Sequence, residues 1–311
     1  MKPEPGGRPQ GLTLLMNDFS QRGEKGTTMR DKMTVPAIQA RKRGTKITMM
    51  TAYDAPTAHI ADRAGVDIIL VGDSVANNVL GFEDTLSVTL DNMIYHTAAV
   101  TRTKPSALVV GDMPWLSYHI SVEETVRNAG RLMREAGAGA VKLEGGRKRL
   151  KMVEALISSE IPVMGHLGLT PQSVHAMGGY RVQGKKVEAA RELLDDARAL
   201  ANAGVFAIVL EGIPDVLAEV VTKEIAIPTI GIGAGPHCDG QVLVFHDVLG
   251  FNDIKPPKFV RQYAHLADTA TEALQHFFAD IRAGKFPSDE ETFHIDEETA
   301  RAFHALTQHE E

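Results

Sequence analysis

The stretch AGVDIILVGDS, Ala64 to Ser74, holds the phrase that decides the fold. A helical stretch ends at a glycine, a short apolar run follows, and the run stops at an acid. Glycine just past a helix end adopts the left-handed conformation that stops the helix. A brief run rich in Ile and Val, polar only at its ends, reads as a strand buried on both faces, the pattern of a parallel sheet. The Ala-Gly step recurs at Ala136-Gly137 and Ala203-Gly204, again before apolar runs. Other apolar runs also end in ionisable residues: ALVVGD at Asp112, AVKLEGG with Lys142 and Glu144, PVMGH at His166, and VFAIVLE at Glu211.

Working outward, strands are expected near Lys46–Ala52, Asp67–Gly72, Ala107–Asp112, Ala140–Leu143, Pro162–Gly165, Phe206–Leu210, Pro228–Ile232 and Val242–Phe245. Helices are expected near Ala55–Ala64, Leu90–Arg102, Val122–Ala136, Leu150–Ser159, Val187–Ala203, Asp215–Glu224 and Phe259–Ala283. Thr89 reads as a cap, and Ser121 with Glu123 and Glu124 as a capping box. This alternation fits an α/β fold of the (β/α)8 TIM-barrel type. An open doubly wound sheet is the alternative, but IGIGAG (Ile230 to Gly235) lacks the third glycine of a dinucleotide fingerprint. It reads as a tight turn after the seventh strand. Thr34 can cap a short helix that opens with Val35 and Pro36 and ends at Gly44, lying across the bottom of the barrel.

The chain of 311 residues is long enough for one barrel with tails. Residues 1–33, rich in Gly, Pro and cations and without a sustained period, are expected to be a disordered tail, with Met29 and Met33 as alternative starts. The catalytic barrel is assigned to residues 34–287 and an acidic extension to residues 288–311. Within the extension, Glu297 to Gln308 could form a helix with Ala300, Phe303 and Leu306 on one face. A net charge of -7 argues against a nucleic-acid surface. The cluster Arg147, Lys148, Arg149 and Lys151 reads as a solvated helix start or an anion patch. A single cysteine, Cys238, excludes a disulfide framework and a cysteine zinc site. No run reaches the length of a membrane span, and GLTLLM (Gly11 to Met16) is too short for a signal-peptide core. The expected location is cytoplasmic.

In a parallel barrel the carboxyl ends of the strands form the site, so the strand-end residues should converge. Asp73 and Asp112 each follow a glycine at the end of consecutive strands. Paired carboxylates repel unless a cation lies between them, and hard oxygen ligands favour Mg2+. Alternatively, each acid caps the next turn. Lys142 and Glu144, two apart on a strand, face the same way. Inward, they would serve a substrate anion or order water; the alternative is an ion pair that holds the barrel closed. Glu211 ends an apolar strand, a setting that suits a general base, or else it is a first-turn acid of the next helix. His166 reads as a hydrogen-bonded support rather than a ligand. Ser74 can bond substrate, but no nucleophile elbow surrounds it. His237, His246 and Asp247 lack zinc spacing.

VGDS (Val71 to Ser74), DNMIYHTAAV (Asp91 to Val100), KLEGG (Lys142 to Gly146), GHLGLTPQSV (Gly165 to Val174), GGYRVQGK (Gly178 to Lys185) and IGIGAG…DGQVLVFHDVLG (Ile230 to Gly250) resemble the ketopantoate hydroxymethyltransferase family. The resemblance runs from about Thr34 to Pro287. It implies a barrel of the phosphoenolpyruvate/pyruvate type, magnesium, and 5,10-methylenetetrahydrofolate as one-carbon donor. It implies Asp73, Asp112 and Glu144 as magnesium ligands. Asp73, Ser74, Asp112 and Lys142 would hold the 2-oxoacid, and Glu211 would be the proton acceptor. The implied reaction hydroxymethylates 3-methyl-2-oxobutanoate to 2-dehydropantoate, a step of pantothenate biosynthesis. A homo-oligomer, a decamer, is implied too, with small molecules as partners and neither nucleic acid nor membrane. Two departures carry expectations: Ser87, where proline is usual, would loosen a loop at the mouth, and Trp115 would narrow the pocket. The rival readings are a magnesium-dependent 2-oxoacid lyase or mutase on the same barrel, and a non-catalytic binding barrel.

Overall fold

All four residues of Ile68–Val71 are buried, as a strand covered on both faces requires. The computed structural model describes residues 30–252 and 255–306. Eight parallel strands close into a barrel in sequence order: β1 Ile47–Thr51, β2 Ile68–Val71, β3 Leu108–Asp112, β4 Ala140–Glu144, β5 Val163–Gly168, β6 Ala207–Glu211, β7 Thr229–Ile232 and β8 Gly240–Leu243. The chain is thus a (β/α)8 barrel. The three Ala-Gly steps behave as read, with Gly65, Gly137 and Gly204 at φ of +89°, +73° and +99°.

Strand alternation sorts the core. One set of side chains, including Ile47, Met49, Ile68, Leu70, Leu108, Val110, Met164 and Val209, packs inside the barrel. The other set, including Ile69, Val71, Val109, Val141, Ile208 and Leu210, packs outward against helix residues such as Met93, Leu132, Leu156 and Val221. The inward set is apolar toward the strand starts and turns polar at Asp112, Lys142, Glu144 and His166, all buried. This change of chemistry along the barrel axis creates the site.

The short helix α1, Val35–Gln39, closes the bottom, with Thr34 Oγ1 accepting from Ala37 N and Ile38 wholly buried. Ile38 and Met33 join the barrel interior. Burying one such side chain contributes about 2 kcal/mol. The helix ends before the expected Gly44, because tertiary bonds draw the next residues elsewhere. Lys42 Nζ reaches Asp239 Oδ2 at 2.8 Å and Arg43 N donates to Asp239 Oδ1 at 2.9 Å. The docked chain also reaches back into the segment assigned to the tail. Met33 N donates to Ser106 O at 2.7 Å, Lys32 Nζ to Pro105 O at 2.7 Å, and Arg30 NH2 to Val66 O at 3.2 Å. Residues 1–29 lie outside the described residues.

Several boundaries differ from the sequence reading. β4 and β6 extend to Glu144 and Glu211, so both acids are strand residues. β8 starts at Gly240 rather than Val242, because Ile47 N pairs with Asp239 O at 3.0 Å and draws the non-apolar Gly-Gln step into the sheet. Phe245 therefore opens a helix, α2 Phe245–Leu249, instead of ending a strand. β7 joins β8 through Gly233 to Asp239 without a helix, as the turn reading expected. The last long helix, α3, runs Leu266–Arg282, starting later than the expected Phe259, and buries none of its residues. Thr89 and Asn92 form a full capping box, and Ser121 caps its helix by accepting from Glu124 N at 3.1 Å. The segment after β2 is ordered despite Ser87. Asp84 Oδ1 caps the turn Thr85–Ser87 from Leu86 N at 2.9 Å, and Thr85 and Val88 are buried. In the extension, Glu297–Ala305 is helical with Phe303 and Leu306 exposed, and residues 307–311 lie outside the described residues. Among the described residues no helix is long and apolar enough to cross a membrane.

Candidate active site

A cavity of about 490 Å3 opens at the carboxyl ends of the strands, and Asp73, Ser74, Asp112, Lys142, Glu144, His166 and Glu211 all line it. Every strand-end residue singled out in the sequence is therefore brought to one place. Trp115, expected to narrow the pocket, is exposed and does not line it.

Sheet register explains the meeting. Asp112 pairs with Lys142 across β3 and β4, Glu144 with His166 across β4 and β5, and Gly168 with Glu211 across β5 and β6. Gly168 has φ +96°, and a Cβ there would stand 2.2 Å from Glu211 O. Only glycine permits that approach, which brings β5 and β6 together beside the acid. Asp73 and Asp112 are not equivalent, contrary to their reading as matched strand ends. Val71 pairs with Gly111, so Asp112 lies level with Gly72, and Asp73 is two residues beyond the end of β2. The offset lets Asp73 N donate to Asp112 Oδ2 at 3.1 Å.

The charged groups form one chain. Lys142 Nζ lies 3.0 Å from Asp112 Oδ1 and 3.3 Å from His166 Nδ1. The His166 ring spans two carboxylates, with Nδ1 3.2 Å from Glu144 Oε1 and Nε2 3.1 Å from Glu211 Oε2. His166, expected to be a hydrogen-bonded support, thus stands between two of the acids. Burial and Lys142 push its pKa down, but Glu144 and Glu211 outweigh them and raise it to about 9, so the ring is cationic at neutral pH. Burial also opposes the charge on Lys142, yet Asp112, Glu144 and Asp73 hold its pKa above the usual lysine value. Burial likewise opposes ionised Glu144, and the His166 bond holds its carboxyl below the usual range. Asp73 is different. Burial, Asp112 and Glu144 all push its pKa well up, and burial raises that of Asp112 despite Lys142. Glu211 lies beside His166, with its side chain 17% exposed.

A polar girdle that the sequence reading missed holds the acids. Gln172 N donates to Glu144 Oε2 at 3.1 Å, and its Nε2 donates to Asp73 Oδ2 at 2.9 Å and to Met113 O at 3.0 Å. Tyr118 Oη donates to Gln172 Oε1 at 2.5 Å and accepts from Glu144 N at 3.2 Å. Tyr53 Oη bonds Ser74 Oγ at 2.8 Å. Gln172 lies inside the quoted GHLGLTPQSV block, but an uncharged amide in a loop carries no pattern signal.

Four acidic groups, Asp73, Asp112, Glu144 and Glu211, face two basic ones, Lys142 and His166, around the cavity. Asp112 Oδ1 and Glu144 Oε1 are buried, each with a single ion-pair contact, to Lys142 and His166 respectively. Both observations suit an added cation. Among the described residues, however, no three His, Cys, Asp or Glu side chains form a ready-made ion cage. Asp73, Asp112 and Glu144 share the cavity, but Gln172, Lys142 and His166 engage their oxygens. That limited set suits an ion that keeps water and substrate among its ligands, as Mg2+ does.

The profile of the ketopantoate hydroxymethyltransferase family matches residues 32–289. A protein of Syntrophomonas wolfei named 3-methyl-2-oxobutanoate hydroxymethyltransferase is 56% identical over 268 residues, covering 86% of this chain and 97% of that protein. One of the same name from Moorella thermoacetica is 55% identical over 265 residues, covering 85% and 98%. Among solved structures, phosphonopyruvate hydrolase aligns with a TM-score of 0.55 at 14% identity, covering 88% of this chain and 96% of its own. The same hydrolase in complex with oxalate and Mg2+ gives 0.54 at 15% identity, covering 88% and 98%. A 2,3-dimethylmalate lyase of the PEP mutase/isocitrate lyase superfamily gives 0.52 at 16% identity, covering 87% and 98%. At these identities the structures share the barrel fold alone.

Proposed function

We propose that this chain is a one-carbon transferase, on the premise that it belongs to the ketopantoate hydroxymethyltransferase family. Its substrates are 3-methyl-2-oxobutanoate and 5,10-methylenetetrahydrofolate, and its product is 2-dehydropantoate, the precursor of pantoate. The observation that carries the reading is the His166 ring held between Glu144 and Glu211 on the wall of a cavity that also holds Asp73, Asp112 and Lys142.

Asp73, Asp112 and Glu144 would hold magnesium, and Lys142 and Ser74 would help orient the 2-oxoacid. Magnesium, when bound, supplies electrophilic polarisation of the keto group. Lys142 offsets the negative charge of the substrate. Glu211 accepts the proton from the branched carbon. His166 Nε2, 3.1 Å from Glu211 Oε2, orients that carboxylate. The resulting carbanion attacks the methylene carbon, water supplies the hydroxyl oxygen, and tetrahydrofolate leaves. The Tyr118–Gln172 girdle fixes Asp73 and Glu144 before substrate arrives, so little reorganisation is needed.

The reading includes a homo-oligomer, a decamer by family resemblance, acting in the cytoplasm. Helix α3 supports association, since it exposes Leu274, Phe277, Phe278 and Ile281, apolar surface that another copy can cover. The test of function is 2-dehydropantoate formation with and without methylenetetrahydrofolate. Product only with the folate supports the transferase. Conversion of a 2-oxoacid without folate would favour the lyase or mutase reading, which the same barrel can serve.

A further inference from the structure

The groups assigned above occupy only part of the cavity. The remainder, toward β7, β8 and the first turn of α2, has apolar walls at Ile232, Leu243 and Pro256 and polar groups at Asn78, Asp247 and Asn252. A cavity of about 490 Å3 lies within the range that holds a drug-sized ligand, far more than a five-carbon acid fills. Asp247 is half-buried there. Burial holds its carboxyl above the usual range, with one amide, Asn252, bonding it in partial compensation. Asp247 lines the cavity, and an ionised carboxylate has about four acceptor sites, more than the Asn252 amide engages.

Asp247 is also held in place relative to the oxoacid groups. Asn252 Nδ2 donates to Asn78 Oδ1 at 2.9 Å, and Asn78 Nδ2 donates to Ser74 O at 2.8 Å. This run of amides ties the Asp247 end of the cavity to Ser74. A fixed carboxylate between apolar walls matches a flat heterocycle with two parallel N–H donors on one edge. The 2-amino-4-oxopyrimidine ring of a reduced pterin has that edge, at N3–H and the 2-amino group.

We propose that Asp247 is the pterin-recognition residue, accepting both of those donors while Ile232, Leu243 and Pro256 flank the ring. The inference rests on the folate reading above. It places the pterin in the β8 half of the cavity and leaves Glu211 and the acids to the oxoacid.

The test uses the full-length enzyme and tetrahydrofolate, with calorimetric titration of wild type and Asp247→Asn. A charge-assisted paired contact is worth roughly 10- to 100-fold in affinity, so Asp247→Asn should weaken tetrahydrofolate binding by about that factor. Exchange of the branched-carbon proton of 3-methyl-2-oxobutanoate in deuterated water needs no folate, and it should stay within about twofold of wild type. A 2-desamino-2-methyl tetrahydrofolate should bind wild type weakly and lose little more in the variant. Wild-type affinity in Asp247→Asn would overturn the proposal. So would equal losses of folate binding and proton exchange, which would mark Asp247 as a general structural support. A wild type that exchanges the proton but binds no tetrahydrofolate would instead sink the folate reading, and the inference with it.

Discussion

Replacing Gln172 with leucine keeps most of the side-chain volume and removes the amide that joins Asp73, Met113 and Tyr118. Gln172 is 5% exposed, as is Asp73, and Tyr118 is 1% exposed, so water cannot freely replace what is lost. The bond to the Asp73 carboxylate, at 2.9 Å, contributes roughly 1.5–3 kcal/mol, and the two neutral bonds contribute about 1 kcal/mol each. The backbone bond from Gln172 N to Glu144 survives the change. Cavity water can reach Asp73 in part, which trims the sum to about 3 kcal/mol. In a barrel of this size that corresponds to a drop of about 6–10 °C in Tm. Urea unfolding followed by circular dichroism, with refolding yield checked, gives the stability change, and deuterium exchange at the branched carbon gives the functional one. Exchange should slow at least roughly tenfold, because misplacing a positioned group by even 1 Å can cost about 100-fold. A stability loss below about 1 kcal/mol with unchanged exchange would refute the idea that this amide holds the acids in register.

Chelation should abolish turnover and added magnesium restore it. Asp112→Asn should weaken magnesium binding at least roughly tenfold by calorimetry, since one charged ligand is lost. At the bottom of the barrel, Asp239→Asn should cost about 3 kcal/mol in urea unfolding, because Lys42 Nζ at 2.8 Å is left without its buried partner. Burial opposes the Asp239 charge, but Lys42 and the amides of Thr229 and Arg43 outweigh it and hold the pKa below the usual carboxylate value. This contribution is present above about pH 4 and is lost as pH falls through the folded pKa, so the variant should show a shallower acid limb.

The barrel was legible because burial on both faces leaves only one kind of residue free to be polar, the one at the strand end. Asp112, Lys142, Glu144, His166 and Glu211 stood out for that reason, and register then collects them. Less legible features depend on contacts across the fold. Gln172 and Tyr118 are neutral loop residues whose importance appears only when they meet Asp73 and Glu144. Asp73 and Asp112 have the same local pattern, yet register offsets them by one residue. β8 begins with Gly240 and Gln241, which carry no strand signal, and pairing to Ile47 and Thr48 recruits them. The role of His166 depends on carboxylates of two other strands, so its sequence neighbours could not reveal its charge.

The most direct test of the central claim is branched-carbon proton exchange of 3-methyl-2-oxobutanoate in deuterated water, with magnesium and without folate, comparing wild type with Glu211→Gln. General-base assistance is worth roughly 100- to 10,000-fold, so the variant should exchange slower by about that factor while still binding the 2-oxoacid. Exchange at the wild-type rate in Glu211→Gln would show that another group removes the proton and would contradict the account.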